Sequence, residues 1–200
     1  MKESKANPSM SNNLRFNLAN PIAHGDALLT LNIEYMSWVA AGIAQTFGIS
    51  SRDLLGMELP DYVASVIDKV CGEAPPRGAF YLVYMDDALA GMGGLRPLGD
   101  GVCEIKRIYV RPDFRGLQLG ESILQRLLSD AKAFGYQRVC LDSAPFMQSA
   151  QRIYAARGFV DCSPYAGVEV PAVLHAGWRF MERAVTLASL QTDIKVEDQT

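Results

Sequence analysis

Clustered charge of one sign is missing from this sequence of 200 residues. Lys and Arg together number 19, Asp and Glu number 22, the formal net charge is −3, and no basic run stands out. A nucleic-acid-binding protein needs such a run to neutralise phosphates. Nucleic acid is therefore not expected as a partner.

Long apolar runs and paired cysteines are missing as well. No uncharged apolar stretch approaches the roughly 20 residues of a membrane span, and the polar residues 1–13 lack the apolar segment of a signal peptide. The four cysteines form no C-x-x-C pair and do not cluster with either histidine. We therefore expect a reduced, cytoplasmic protein with no membrane attachment and no metal.

The composition that is present suits one globular domain. Hydrophobic residues make up 49% and charged residues 20% of the chain, and no internal repeat is visible. Residues 1–13 are rich in polar residues and are predicted to form a disordered tail. Residues 14–186 are predicted to form the single domain, and residues 187–200 a second, solvated tail.

Hydrophobic periodicity predicts the elements of the first half of this domain. They are a strand at 14–19, a helix at 26–47 with Asp26 as N-cap, a loop at 48–60 and a helix at 61–71. A hairpin of strands 79–85 and 88–96 turns at Asp86 and Asp87. Glycines in its second strand indicate a bulge or a close backbone approach.

The second half alternates strands and helices. The predicted elements are a strand at 102–110, a helix at 119–134, a strand at 137–142, a helix at 147–157, and strands at 159–163 and 177–184. Antiparallel strands followed by β-α-β crossovers predict an α/β fold, with a mixed central sheet and helices on both faces.

The stretch Cys103–Gly120 joins the central strand to a well-marked helix. Pro112 ends the strand, and the loop 115–120 opens directly into the helix. The first N–H groups of a helix lack intrahelical partners and lie at the positive end of its dipole. Because glycine lets a ligand approach the backbone, this loop suits a pyrophosphate.

Two common phosphate-binding fingerprints do not fit the loop. The P-loop pattern fails because Gly120 is followed by Glu121, where that motif needs lysine. The dinucleotide pattern G-x-G-x-x-G fails because Gly116 and Gly120 are separated by Leu117, Gln118 and Leu119.

The loop R-G-L-Q-L-G after the strand EIKRIYV instead resembles the acyl-CoA-binding signature [QR]-x-x-G-x-[GA] of the GNAT N-acetyltransferases. Arg115 takes the first position and Gly120 the last, and Gln118 stands where the middle glycine usually is. The segment LDSAPFMQSAQRIYAARGF resembles the second GNAT block, A-x-x-[LI]-Y-x-x-x-G-F. Its matching residues are Ala150, Ile153, Tyr154, Gly158 and Phe159.

The resemblance implies the GNAT acyl-CoA N-acyltransferase fold and acetyl-CoA as co-substrate, without a metal. In the family the central strand splays from its neighbour, and its free backbone groups bind the pantetheine arm. The loop and the following helix then hold the pyrophosphate. The cofactor-binding residues so implied are Ile108, Tyr109, Val110, Arg115, Gly116, Leu117, Gln118, Leu119, Gly120 and Ala150.

Two catalytic residues are implied in the same way. Tyr154 occupies the position of a tyrosine that protonates the departing thiolate, and its alternative is core packing of a helix aromatic. Glu104 occupies the position of a glutamate that acts as general base, and its alternative is a cross-strand partner of Lys106. Met147 stands where the family often has an asparagine, which puts that pantetheine contact in doubt.

Other residues near these motifs have open assignments. Asp142 and Ser143 end a strand at the carboxyl edge, where ligands of α/β sheets lie, although Asp142 equally suits a cap or turn. Tyr165 is a candidate for lining the acceptor site. The helix that carries Tyr35 and Trp38 is a second candidate for lining that site, although core packing is favoured for these two residues.

The resemblance implies an N-acetyltransferase that moves an acetyl group from acetyl-CoA to a primary amine by direct attack in a ternary complex. Two alternatives stay open: a non-catalytic CoA-binding regulatory module, motivated by Gln118 and Met147, and an enzyme that acetylates a protein amine. The acceptor is a small-molecule or protein amine that the sequence does not name. A homodimer is possible by resemblance.

Overall fold

The computed structural model describes residues 13–185. The two predicted tails, 1–13 and 187–200, lie outside this range except for Asn13, whose backbone N–H donates to Asp86 Oδ1 at 2.9 Å.

Seven strands and five α-helices make up the described chain. The strands are β1 (Leu14–Leu18), β2 (Ala79–Met85), β3 (Ala88–Gly99), β4 (Val102–Val110), β5 (Arg138–Ser143), β6 (Val160–Asp161) and β7 (Arg179–Ala184). The helices are α1 (Pro21–Phe47), α2 (Ser51–Leu55), α3 (Leu59–Cys71), α4 (Leu119–Ala133) and α5 (Gln148–Ala156). Short 3₁₀ turns lie at Pro112–Phe114 and Ala172–Gly177.

The strands form one mixed sheet in the order β1-β2-β3-β4-β5-β7-β6. Only β4 and β5 pair in parallel; the other neighbours are antiparallel. Helix α4 packs on one face, where Ile123, Leu124 and Leu127 are fully buried. Helices α1 and α3 cover the opposite face through residues such as Leu28 and Leu31. The predicted α/β fold is thus confirmed.

The parallel pair β4 and β5 separates after three residues. Its ladder joins Val102, Cys103 and Glu104 to Arg138, Val139 and Cys140, and goes no further in the described chain. The backbone of 105–110 therefore has no strand partner on that side, although it stays paired with β3. A wedge-shaped opening results between the carboxyl ends of the two strands.

A β-bulge in β4 lies beside this opening. Met92 pairs with Tyr109 and Gly94 with Lys106, so Arg107 and Ile108 oppose Gly93 alone. Arg107 has φ +55°, a left-handed conformation that is costly for a side chain with a Cβ. Its Nη1 donates to Oδ1 of the fully buried Asn32 at 2.6 Å, which ties the bulge to α1.

The predicted bulge or close approach in the glycine-rich strand is confirmed. A Cβ at Gly91 would lie 2.4 Å from the carbonyl oxygen of Tyr109, and one at Gly94 would lie 2.5 Å from the Phe80 ring. The predicted hairpin turn is also present, with Asp86 and Asp87 at φ +48° and +68°.

Several predicted boundaries were wrong for local reasons. Helix α1 begins at Pro21, not Asp26, because the Asn20 side chain caps the N–H groups of Ile22 and Ala23 at 2.9 and 3.0 Å. The predicted loop 48–60 contains α2, which Ser50 caps. The strand predicted at 159–163 is only Val160–Asp161, and β7 starts at Arg179 because a 3₁₀ turn extends to Gly177.

By length and composition alone, α1 is apolar enough to cross a membrane. The core helix of a soluble protein passes the same test, so this is weak support for a span. Here the buried face of α1 packs on Phe80, Leu82 and Met92 of the sheet.

Candidate active site

A cleft of about 520 Å³ lies between β4, the loop before α4, and α5. It contains nine of the ten residues predicted to bind the cofactor: Ile108, Tyr109, Val110, Arg115, Gly116, Gln118, Leu119, Gly120 and Ala150. Leu117 is not part of its lining and is 45% exposed. We call this opening the donor cleft.

The floor of the donor cleft at α4 is bare backbone. Within residues 13–185, the N–H groups of 116–121 have no hydrogen-bond partner in the protein. A Cβ placed at Gly116 or Gly120 would meet no atom within 4 Å, so ligand atoms have room above both residues. Free donors at the positive end of a helix are suited to the diphosphate of acetyl-CoA.

Gln118 stands where the acyl-CoA-binding signature usually has glycine, and its backbone conformation is one that favours glycine. It adopts φ +59° and ψ +16°, a left-handed conformation, immediately before α4, and its side chain caps nothing. A non-glycine residue there costs about 1–2 kcal/mol. Residue 118 thus holds a conformation that glycine adopts without strain.

The two arginines near the loop have different roles. Arg115 lines the donor cleft; its Nε donates to the Val110 carbonyl at 3.2 Å, and its guanidinium lies 5.8 Å from the Trp38 ring centre. Arg111 does not line the cleft, because it forms two hydrogen bonds with Glu34 at 2.7 and 2.9 Å.

A second cavity, of about 220 Å³, lies on the α1 face of the sheet, and we call it the acceptor cavity. Most of its lining is apolar or aromatic, and its charged members are Glu104, Lys106, Arg107, Asp142 and Glu169. It shares four lining residues with the donor cleft: Trp38, Ile108, Met147 and Ala150. The two spaces therefore meet where β4 and β5 separate.

Tyr154 lies on α5 at the wall of the acceptor cavity, one helical turn beyond Ala150. It is 9% exposed and packs against the Phe159 ring with centroids 6.0 Å apart. Burial raises the pKa of its hydroxyl, so the group keeps its proton at neutral pH. Its hydroxyl has no hydrogen-bond partner among residues 13–185.

Glu104 is almost completely buried, and both of its carboxylate oxygens are engaged. Oε2 accepts from Arg96 Nε in an ion pair, and Oε1 accepts from the Tyr165 hydroxyl at 2.8 Å. Lys106, its expected partner, forms a longer ion pair with Oε2 at 3.9 Å and a second ion pair with Glu169. A general base needs a lone pair that faces the substrate, and Arg96 and Tyr165 already occupy one acceptor position on each oxygen of Glu104.

Glu169 fastens the loop 163–171 beside the acceptor cavity. Its carboxylate forms ion pairs with Lys69 at 3.0 Å, Arg96 at 3.4 Å and Lys106. These cations hold its pKa at about 2, against the opposing effect of burial. The charges of this loop are therefore largely compensated within the protein.

Asp142 differs from the other carboxylates of the cavity. Its Oδ1 accepts the indole N–H of Trp178 at 2.7 Å, and no cation of the described chain lies within ion-pair distance. Burial raises its pKa to about 6, partly offset by the Trp178 hydrogen bond. Ser143 beside it is buried, lines neither space and has no partner for its hydroxyl in residues 13–185.

The match to known families agrees with this geometry. Residues 47–159 match the model of the Acetyltransferase (GNAT) family. An uncharacterized N-acetyltransferase of Schizosaccharomyces pombe is 33% identical over 134 residues, which cover 66% of this chain and 78% of that protein. The chain belongs to the GNAT acetyltransferase family.

Solved structures agree on the fold. A GNAT-family acetyltransferase of Staphylococcus aureus superposes with a TM-score of 0.62 at 19% identity, covering 87% of this chain and all of that one. The PaiA N-acetyltransferase of Thermoplasma acidophilum, solved with coenzyme A, gives 0.59 at 16% identity, covering 86% and 99%. The chain thus has the fold of the GNAT acetyltransferases.

The sequence named Tyr35 and Trp38 of this GNAT protein as candidates for the acceptor site but favoured core packing for both. Trp38, expected in the core, is 39% exposed and lines both spaces, and Tyr35 lines the acceptor cavity. Tyr165, a candidate lining residue, instead lies outside the lining and supports Glu104. In the sequence, Trp38 shares a face of α1 with Val39 and Ile43. Helical spacing predicts that this face is buried, but it does not tell whether the face packs in the core or lines a cavity.

No group of three or more His, Cys, Asp or Glu side chains within 13–185 is arranged to hold a metal ion.

Proposed function

We propose that this GNAT acetyltransferase transfers the acetyl group of acetyl-CoA to a primary amine by direct attack in a ternary complex. The observation that carries the proposal is the meeting of the donor cleft and the acceptor cavity at Ile108, Met147 and Ala150. Both substrates can then be bound together and their reacting groups held adjacent.

Each part of the donor cleft has a role in this proposal. The free N–H groups of 116–121 bind the diphosphate, and the unpaired edge of β4 beyond Glu104 binds the pantetheine arm. Acetyl-CoA supplies an acetyl group already activated as a thioester, so that the amine nitrogen bonds to the carbonyl carbon as the C–S bond breaks.

Tyr154 is the proposed acid. Its buried hydroxyl stays protonated and has no competing partner in the described chain, so it is free to donate a proton to the departing sulfur. A thiol with a pKa of about 8.5 is a fair leaving group by itself, so this assistance is modest.

The proposal is tested with the full chain in two steps. Calorimetric titration with CoA should show binding, and pantetheine, which lacks the diphosphate, should bind far more weakly. Acetyl-CoA consumption is then measured against small amines and against peptides with free amino termini. Acetylation of a small amine supports the proposal, and acetylation of peptides alone favours the protein-amine enzyme. CoA binding without acetylation of any acceptor would indicate the regulatory module.

A further inference from the structure

The acceptor cavity holds three carboxylates, and two are already neutralised. Glu104 is ion-paired with Arg96, and Glu169 is ion-paired with Lys69, Arg96 and Lys106. Asp142 accepts one hydrogen bond from Trp178 through Oδ1, and its Oδ2 has no protein partner in residues 13–185. It is therefore the cavity carboxylate that is free to receive a cation.

Asp142 is held in place and is costly to keep charged. The Trp178 indole N–H fixes its orientation, while partial burial disfavours the charged form. An unpaired carboxylate in a cavity is a mark of function rather than stability, because stability alone would favour an apolar residue there.

One wall of the cavity is apolar. Between α1, α2 and the 3₁₀ turn, its wall is formed by Trp38, Val39, Ile43, Leu54 and Leu174, none of them charged. Such a wall stabilises hydrocarbon or aromatic groups and penalises a second charge.

Building on the function proposed above, we propose that Asp142 binds the ammonium group of the acceptor and takes its proton, and that the acceptor is a primary amine with an apolar body seated against the wall of Trp38, Ile43 and Leu174.

The proton balance of the step is simple. One proton passes from the ammonium to Asp142 Oδ2 and leaves the nitrogen lone pair free. As the C–N bond forms and the C–S bond breaks, a second proton passes from the nitrogen to solvent, the sulfur takes the hydroxyl proton of Tyr154, and Tyr154 is reprotonated from solvent. The products are the amide and the CoA thiol, and the proton held by Asp142 goes to solvent.

Charged and titratable groups face Asp142 from four neighbouring elements. They are Tyr35 of α1, Glu104 and Lys106 of β4, Tyr154 of α5, and Tyr165 and Glu169 of the following loop. Burial raises the pKa of the three tyrosines, and that of Glu169 is held at about 2. Because the carboxylate is the active form, wild-type kcat/KM should fall as the pH drops through about 6.

A substrate series tests the apolar body without any mutation. For n-propylamine to n-hexylamine, we expect kcat/KM to rise about fourfold per added methylene group. Cadaverine has the same number of heavy atoms as n-hexylamine but carries a second ammonium, and it should react at least about tenfold more slowly. Equal or faster reaction of cadaverine would contradict the proposal that the acceptor has an apolar body.

The variant Asp142→Asn tests the carboxylate, because it keeps the acceptor for Trp178 and removes the charge. With n-hexylamine near neutral pH, kcat/KM should fall at least about a hundredfold, since only the rare neutral amine then reacts. Its kcat/KM should also rise about tenfold per pH unit towards the amine pKa, where the wild type is flat. With trifluoroethylamine, which is largely neutral near pH 7, the loss should be less than about threefold.

The control is Asp100→Asn, an aspartate in an exposed turn whose φ of +50° asparagine tolerates. CoA affinity should be unchanged in both variants, which checks folding. If n-hexylamine is acetylated but Asp142→Asn reduces both amines equally, Asp142 is structural and this inference is wrong while the proposed function stands. If no amine is acetylated by the wild type, both fail.

Discussion

The donor cleft and the acceptor cavity are built in opposite ways. The proposed diphosphate site of the donor cleft consists of consecutive backbone, with six unpaired N–H groups at 116–121 within the described chain. The acceptor cavity is lined by side chains that the fold brings together from α1, α2, β4, β5, α5 and a loop. Backbone donors recognise what every family member binds, whereas side chains select what is particular to one enzyme.

The difference extends to electrostatics. In the donor cleft the attraction comes from uncompensated N–H groups and a helix dipole. In the acceptor cavity most charges cancel one another through Arg96, Lys106, Glu104 and Glu169, which leaves Asp142 as its free carboxylate among the described residues. Four substitutions test this contrast.

The largest effect is expected from Gly120→Asp, which places a carboxylate in the backbone cradle. Repulsion of the diphosphate at about 4 Å corresponds to about 4 kcal/mol, so CoA affinity should fall about a thousandfold. The fold should be intact, because a Cβ at Gly120 meets no atom within 4 Å and an acid in the first turn suits the helix dipole. Titration calorimetry and thermal unfolding measure the two quantities.

The control for this substitution is Gly120→Ala, which adds volume without charge and should weaken CoA binding less than about fivefold. Wild-type affinity in the aspartate variant would mean that the diphosphate lies elsewhere.

Glu104→Gln should act mainly on stability. Removing the charge leaves Arg96 without its buried counter-ion and should lower the free energy of unfolding by about 3 kcal/mol. The matched control Glu182→Gln removes an exposed ion pair with Arg138 and should cost less than about 1 kcal/mol. Urea titrations measure both. A displaced pH profile of kcat in the Glu104 variant would instead assign Glu104 as the base.

Tyr154→Phe should lower kcat about tenfold with little change in CoA affinity, because only the proton donor to the sulfur is lost. Steady-state kinetics and calorimetry separate the two effects. Tyr84→Phe, on β2 and outside both spaces, serves as the control. An undiminished kcat would make Tyr154 a packing residue.

The smallest effect concerns the strained residue of the cradle. Gln118→Gly should be about 1 kcal/mol more stable than Gln118→Ala, because both lose the side-chain amide and only glycine relieves the left-handed strain. Thermal unfolding in parallel checks this. Equal stabilities would show that the loop relaxes around residue 118.

Local sequence signals were sufficient for the donor cleft. A proline, a glycine pair and an amphipathic helix occur in order between Pro112 and Ala133, so chain neighbours become spatial neighbours without long-range packing. The same locality explains the correct hairpin at Asp86 and Asp87. Predictions were wrong where capping chemistry competed with periodicity, as at Asn20, which starts α1 earlier than Asp26.

The acceptor cavity could not be predicted from local sequence, because its residues come together only through long-range packing. Glu104 and Arg96 lie eight residues apart, but Tyr165 and Gly167, which complete their network, reach them only through the return of the chain to the sheet. In the sequence, Trp38 lies on a helix face whose spacing is that of a core face. In the folded protein it faces the donor cleft and is partly exposed.

The sequence by itself determined the fold class, the family and the position of the free backbone N–H groups that we propose to bind acetyl-CoA, because these follow from local periodicity, glycine positions and contiguous motifs. Only the tertiary structure decided which charged side chains are neutralised and which remain free, because an ion pair depends on distances between segments far apart in the chain. Asp142 and Glu104 are both acids at strand positions in the sequence, and their partners in space set them apart.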